Sequence, residues 1–409
     1  MVNSEMEHLG KEKSAIRELF EQGKILKKKY GEDLVYDFSI GNPSIPCPKI
    51  VNDTIRKLVD SAEENDNNCG LFNSTILHGY TSAEGDIEVR TQISKYLNET
   101  YNADTDGKLI YMTSGAAAGI TITLKALTSG SGDDEVIVFA PYFPEYKVFT
   151  NNANAKLITV NPDFKNFYPS FDDFEKKITK NTSIVIINSP NNPTGVLYNE
   201  DTIKKICEVL KDKQKLYNHP IYILSDEPYR ELIYNDTKFP FITNYYDNSI
   251  VTYSFSKSIS LPGERIGYIL VNKTCENVNA VFSAIAGAGR SLGYVCVPTL
   301  FQFMIPYILG TTSDLNIYKN NSVLFYNELK NIGYKVIKPD GAFYLFMKAL
   351  DYDDIAFSKR ALYYNLLIVP STSFGISGYV RIAYCVTKDK ILSSIPKFKE
   401  LFNFYTKTK

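Results

Sequence analysis

SFSKSISLPGERIGY, residues 254–268, sets Lys257 beside the hydroxyls of Ser254 and Ser256 and eight positions ahead of Arg265. An amine condenses with an aldehyde to a Schiff base, and a guanidinium with nearby hydroxyls supplies the charge-assisted bonds that a phosphate needs. Together they suit a phosphorylated aldehyde, which points to pyridoxal phosphate as cofactor. Taken alone, a lysine following the apolar Ile250 and Val251 is more often a solvated side chain at a strand end. The remainder of the sequence has to decide.

Composition permits such an enzyme and argues against several others. A chain of 409 residues buries a large core and is expected to form two domains. Lys and Arg (45) balance Asp and Glu (46) to a formal charge of −1, so there is no basic field of the kind nucleic-acid binding requires. A small anionic substrate then has to be held by local arginines. The opening stretch MVNSEMEHLGKEKSAIRELF is charged and amphipathic without an apolar signal core, and no later run spans a bilayer. A cytoplasmic protein with no membrane partner is expected. Six cysteines (Cys47, Cys69, Cys207, Cys275, Cys296, Cys385) lack CxxC spacing and read as reduced thiols. His8, His78 and His219 lie too far apart in sequence to suggest a metal site or a serine triad, so no metal is expected.

Apolar, β-branched runs at 109–112, 135–140, 156–160, 183–188, 221–224, 250–253 and 266–271 alternate with helical periodicity at 116–127, 171–178, 201–216 and 275–285. Short buried strands separated by helices predict an α/β fold with a mainly parallel sheet. After residue 315 the rhythm changes to a long amphipathic helix (315–332), a Pro-Asp-Gly turn at 339–341 before GAFYLFM, and short strands. That predicts a smaller α+β domain at 313–409, joined by the N-terminal segment 1–52, beside a large domain at 53–312. The Asn-rich patch 63–73 is expected to be a surface loop.

In an open parallel sheet, ligands sit at the carboxyl ends of the strands. Four strand ends carry suitable chemistry: TSGAAAG from Thr113, where free amides at a helix start suit a phosphate; SPNNPTG with Asn192; SDEPYR with Asp226 and Tyr229; and the Lys257 segment. Two of these have a plainer reading besides the one already given for the lysine. Ser114 is a natural helix cap, and Asp226 could cap the helix that follows it.

With FSIGNPS (38–44), HGYTSAEGDIEVR (78–90), PYFPEY (141–146) and YVRIAY (379–384) added in order, the chain resembles the fold-type I pyridoxal-phosphate aminotransferases of the aspartate aminotransferase group, over nearly its whole length. The resemblance implies a seven-stranded large domain, a homodimer and a transfer of an amino group from an L-amino acid, aspartate or a similar donor, to a 2-oxo acid. It implies that Lys257 carries the cofactor and then moves the α-proton, that Asp226 faces the pyridine nitrogen, and that Tyr229 and Asn192 bond the phenolic oxygen while Tyr142 stacks on the ring. The phosphate falls to Ser114, the amides of Gly115 and Ala116, Ser254 and Arg265, with Tyr80 reaching in from the second subunit. Gly41 lets a backbone amide approach the substrate, and Arg381 grips its α-carboxylate. The family often shows a hydroxyl where Ala116 stands.

Arg290, 33 positions beyond Lys257, has the spacing of an arginine that binds a distal carboxylate across the interface of dicarboxylate-specific relatives. It reads equally as a loop pin or a boundary ion pair. AGAGRSLG (286–293) is not a dinucleotide fingerprint, because it follows a helical stretch and not a strand. A β-lyase or cyclopropane-forming synthase on the same scaffold would keep Lys257, Asp226 and Arg381, and a non-catalytic cofactor sensor is a second alternative.

Overall fold

The computed structural model describes residues 2–11, 15–68, 72–235 and 237–406. Seven strands, β1 (Ile110–Thr113), β2 (Glu135–Phe139), β3 (Lys156–Val160), β4 (Thr182–Asn188), β5 (Tyr222–Asp226), β6 (Ser249–Ser254) and β7 (Gly267–Val271), form one sheet in the order β1-β7-β6-β5-β4-β2-β3. Six run the same way; β7 is antiparallel to both neighbours. Each expected strand is present, with no end moved by more than two residues.

Period-two alternation sends the strand residues to two apolar layers. Ile137, Val185, Ile223 and Val251 pack on one face with Val51, Leu58, Ile203 and Leu210 from the helices Lys49–Asn68 and Glu200–Tyr217. Val138, Ile186, Leu224 and Ile250 pack on the other with α1 (Ala116–Leu127) and α2 (Val278–Ser291). By the same parity, Asp226 follows Leu224 and Ser254 follows Ile250 to the α1 face. The sheet thus delivers both polar groups to one side at the carboxyl ends of adjacent strands.

The expectation of a loop at 63–73 is corrected at 63–68 and holds at 72–73, which are irregular. Positions 63–68 are the last turns of the helix Lys49–Asn68, and 69–71 lie outside the described residues. Burial of Val51, Leu58 and Ala62 along one face of that helix overrides the weak helix propensity of its asparagines.

The C-terminal region builds a four-stranded sheet from β8 (Val336–Ile337), β9 (Tyr344–Lys348), β10 (Val369–Pro370) and β11 (Tyr379–Ala383), in the order β10-β11-β9-β8. The helices α3 (Leu315–Ile332) and α4 (Lys388–Thr406) share an apolar cluster with it through Phe325, Leu329, Phe398 and Leu401. N-terminal residues enter the same cluster. Tyr36–Asp37 pairs in parallel with Leu366–Leu367, and the Phe38 ring lies 5.1 Å from that of Phe325. Among the described residues no helix is long and apolar enough to cross a membrane.

Helix α2 offers an internal comparison of two glycines. A Cβ on Gly289 would overlap the hydroxyl of Tyr111 on β1, whereas one on Gly287 meets nothing within 4 Å. Gly→Ala in a helix gains up to about 1 kcal/mol from propensity, while overpacking costs about 1–3 kcal/mol. Gly287→Ala should therefore raise the apparent melting temperature and Gly289→Ala lower it. Tyr111→Phe, added to Gly289→Ala, should recover part of the loss.

Candidate active site

A cavity of about 300 Å³ opens at the carboxyl ends of the strands and is lined by Gly41, Ala116, Asn192, Asp226, Tyr229, Ser254, Lys257, Arg265 and Arg381 among the expected residues. The turn after β6 brings Lys257 over the sheet end, and the return into β7 brings Arg265 back beside it. Lys257 Nζ donates to the Gly41 carbonyl at 2.7 Å. Burial pushes its pKa down to about 8, and the charges of Arg381 and Arg265 add to the effect against the opposing influence of Cys385.

Asp226 is buried and its carboxyl is pushed up to about 6, chiefly by desolvation. Tyr146 donates to Oδ2 at 2.6 Å, while the buried Oδ1 has no hydrogen-bond partner. A cationic N–H beside Oδ1 would reverse that shift by favouring the carboxylate. Asn188 fixes the adjacent turns, donating from Nδ2 to the Asp226 carbonyl at 2.9 Å and accepting from the Asn192 amide at 2.8 Å.

Arg381 is buried on β11. Its Nη1 donates to Asn192 Oδ1 at 3.0 Å and its Nη2 to the Ser39 carbonyl, while Nε has no partner. Burial without a carboxylate lowers its pKa. The guanidinium is thus oriented but not neutralised, which suits it to grip an anion.

At the other end, α1 starts without a side-chain cap, so Ser114 is not its cap; Gly115 holds that position at φ +82°. A Cβ on Gly115 would stand 2.6 Å from Arg265 Nη2, so only glycine leaves this cradle open. Arg265 donates to the carbonyls of Pro262 and Ser114, both at 3.1 Å. The hydroxyls of Ser254 and Ser256 lie 2.6 Å apart in the same wall. One expectation fails in detail: the Gly115 amide is taken by the Thr113 carbonyl at 2.8 Å, which leaves the phosphate role to the amides that follow.

Tyr142 does not line the cavity; Phe143 does. The Tyr142 amide donates to the Phe374 carbonyl, and its ring lies against Gly375, so the neighbouring residue takes the wall. Tyr80 is 97% exposed and Arg290 is exposed at the end of α2, both away from this cavity. The AGAGRSLG stretch indeed lies in and just after the last turns of α2. Phe143, Tyr146, Asn188 and Tyr344 belong to the site without having been singled out. Phe143 and Tyr146 sit inside the quoted PYFPEY and Asn188 ends the strand run 183–188, directly before SPNNPTG; for Tyr344 only the GAFYLFM run offered a signal.

The family profile of aminotransferase class I and II matches residues 35–395. A probable aspartate aminotransferase of Methanocaldococcus jannaschii is 30% identical over 401 residues, 95% of this chain and 97% of that protein. The crystal structure of an aminotransferase from Eubacterium rectale has a TM-score of 0.94 at 50% identity, with 99% of each chain covered. The aspartate aminotransferase of Thermotoga maritima has a TM-score of 0.85 at 28% identity, with 98% of this chain and 100% of that one covered.

With a pKa of about 8, roughly one Lys257 amine in ten is neutral at pH 7. Acetic anhydride labelling of Lys257 in protein freed of bound carbonyl compounds, followed by peptide mass spectrometry, should therefore rise with pH and level off above about 9. An ordinary exposed lysine keeps gaining reactivity past pH 10.

Proposed function

The chain belongs to the class I and II aminotransferases, enzymes that depend on pyridoxal phosphate, and we propose the following roles for its residues. The site fits the cofactor on its own geometry: an orphaned carboxylate oxygen in Asp226, a glycine cradle beside Arg265, and a buried amine of lowered pKa in the same cavity. When bound, the cofactor supplies an electron sink that makes the substrate's α-proton removable. Asp226 holds a proton on the ring nitrogen, with Tyr146 and Asn188 fixing its position. Tyr229 and Asn192 bond the phenolic oxygen, and Phe143 covers the ring. Arg265, Ser254 and the first amides of α1 hold the phosphate.

Arg381 takes the α-carboxylate, with Nε as the donor left free by Asn192 and Ser39. Lys257, whose amine would hold the cofactor, would move the proton at the substrate's Cα. Its lowered pKa leaves a useful neutral fraction near pH 7, as a general base requires. The same residues then run in reverse on a 2-oxo acid, so the donor product leaves before the acceptor enters. Relatives matched over almost the whole chain are named as aminotransferases, which favours transamination over elimination or cofactor sensing.

Aspartate is our reading for the donor, supported by the relatives that carry that name. Lys257, Arg265 and Arg381 are the cations lining this chain's own cavity among the described residues, so a distal carboxylate needs a cation from a second copy. Arg290 is the candidate, and the exposed Tyr80 is the candidate phosphate ligand across the same homodimer boundary. We read residues 53–312 as the cofactor domain and 313–409 with 1–52 as the smaller one, supported by the pairing of Tyr36–Asp37 with Leu366–Leu367.

The observation that carries this function is the convergence of Lys257, Asp226 and Arg381 on one cavity. Lys257→Ala should fold, bind cofactor without a covalent link, and lose nearly all turnover; a loss below about tenfold, or 1.4 kcal/mol, would remove the lysine from the proton transfer. Arg290→Ala should lower kcat/KM for aspartate or glutamate by roughly ten- to two-hundredfold, the worth of a charge-assisted bond, and leave alanine and phenylalanine nearly unchanged. Equal losses for charged and uncharged donors would make Arg290 structural.

A further inference from the structure

The GAFYLFM run places Tyr344 on β9 beside β11, where Tyr344 is paired with Ala383 and Phe346 with Arg381. Tyr344 and Arg381 are therefore diagonal neighbours on one face of an antiparallel pair, within reach of long side chains. The Arg381 guanidinium lies 4.7 Å from the Tyr344 ring centroid and 5.1 Å from that of Phe374, within cation–π reach of both rings. At its other end, the Tyr344 hydroxyl is 2.9 Å from that of Tyr229. It also occupies the space that a Cβ on Gly41 would need, so Gly41 is bare in order to admit this phenol. Tyr344 is only 2% exposed and lines the cavity.

A phenylalanine would fill the same volume and keep the contact with Arg381. What the hydroxyl adds is a bond to Tyr229. When Tyr344 donates to the Tyr229 oxygen, the proton of Tyr229 is left for an acceptor in the cavity, and a donor that itself accepts a bond is polarised into a stronger one.

We propose that Tyr344 is a positioning residue with two separable functions: its ring fixes Arg381 for the α-carboxylate, and its hydroxyl strengthens Tyr229 as a donor to the cofactor's phenolic oxygen. This rests on the roles given above to Arg381 and Tyr229. A stronger donor would favour the charged form of the phenolic oxygen and so the deprotonated form of the bound chromophore; removing the hydroxyl should therefore raise the pH at which the bound cofactor changes colour.

The test uses the cofactor-loaded enzyme and 2-methylalanine, which carries an amine and an α-carboxylate but no removable α-proton and no charged side chain. Tyr344→Phe should raise the midpoint of the visible absorbance titration by about 0.4–1 pH unit, a hydrogen bond's worth, and leave the Kd of 2-methylalanine within about twofold of the parent. Tyr344→Leu should show the same upward shift and weaken 2-methylalanine binding by roughly two- to thirtyfold through loss of the cation–π contact. The proposal is overturned if Tyr344→Phe leaves the midpoint unmoved, or if it weakens 2-methylalanine by clearly more than about twofold, the range in which loss of the cation–π contact begins. Because Tyr344→Phe preserves the packing, misfolding of the leucine variant would leave both of these criteria usable: the midpoint shift and the retained Kd are each read on Tyr344→Phe itself. If the parent enzyme gives no coloured complex, or no response to 2-methylalanine, the functional reading fails first and takes this proposal with it.

Discussion

Burial of charge without a partner is the constraint on which the site depends. Asp226, Lys257 and Arg381 all line one cavity, and desolvation opposes the charged form of each. A buried polar atom left unsatisfied costs about 1–3 kcal/mol, and more when it is charged. The fold bears this at Asp226 Oδ1 and Arg381 Nε while satisfying the remaining atoms of both groups with Tyr146, Asn192 and Ser39. A molecule with a cationic ring N–H at one place and a carboxylate at another relieves both penalties on binding. Orientation is supplied beforehand by the protein, so the binding step does not have to order these side chains.

How much of this was legible in the sequence varies with the distance over which the information acts. The seven strands were readable because a parallel sheet covered on both faces needs short β-branched runs, and the strand-end residues Asp226, Asn192 and Lys257 followed from where such sheets bind ligands. Tyr142 was misassigned by a single position: in an irregular segment after β2 nothing local says which of two adjacent aromatic rings faces the cavity. The pairings of Tyr146 and Tyr344 were unreadable for another reason, since their partners Asp226 and Tyr229 lie 80 and 115 residues away. Ser114 looked like a cap by composition, but α1 opens at Gly115, whose positive φ a serine tolerates poorly. At 63–68 composition suggested a loop, and tertiary burial of one helix face decided otherwise.

The two sheets contribute different halves of the chemistry, and the segment 39–45 joins them. Ser39 accepts from Arg381 on β11, Ile40 from the Cys385 thiol at 3.5 Å, and Gly41 from Lys257 at 2.7 Å. The amides of Ser44 and Ile45 donate to the Tyr318 hydroxyl on α3 at 3.2 and 3.4 Å. Lys257 and Arg381, to which we assign the cofactor and the substrate carboxylate, therefore bond carbonyls two residues apart in one short stretch of backbone. A shift of that stretch as one body changes both hydrogen bonds together. The glycine at 41 tightens this coupling further: with no Cβ it lets the Tyr344 hydroxyl close against the backbone, so the same residue that frees space for the phenol also carries the acceptor for Lys257.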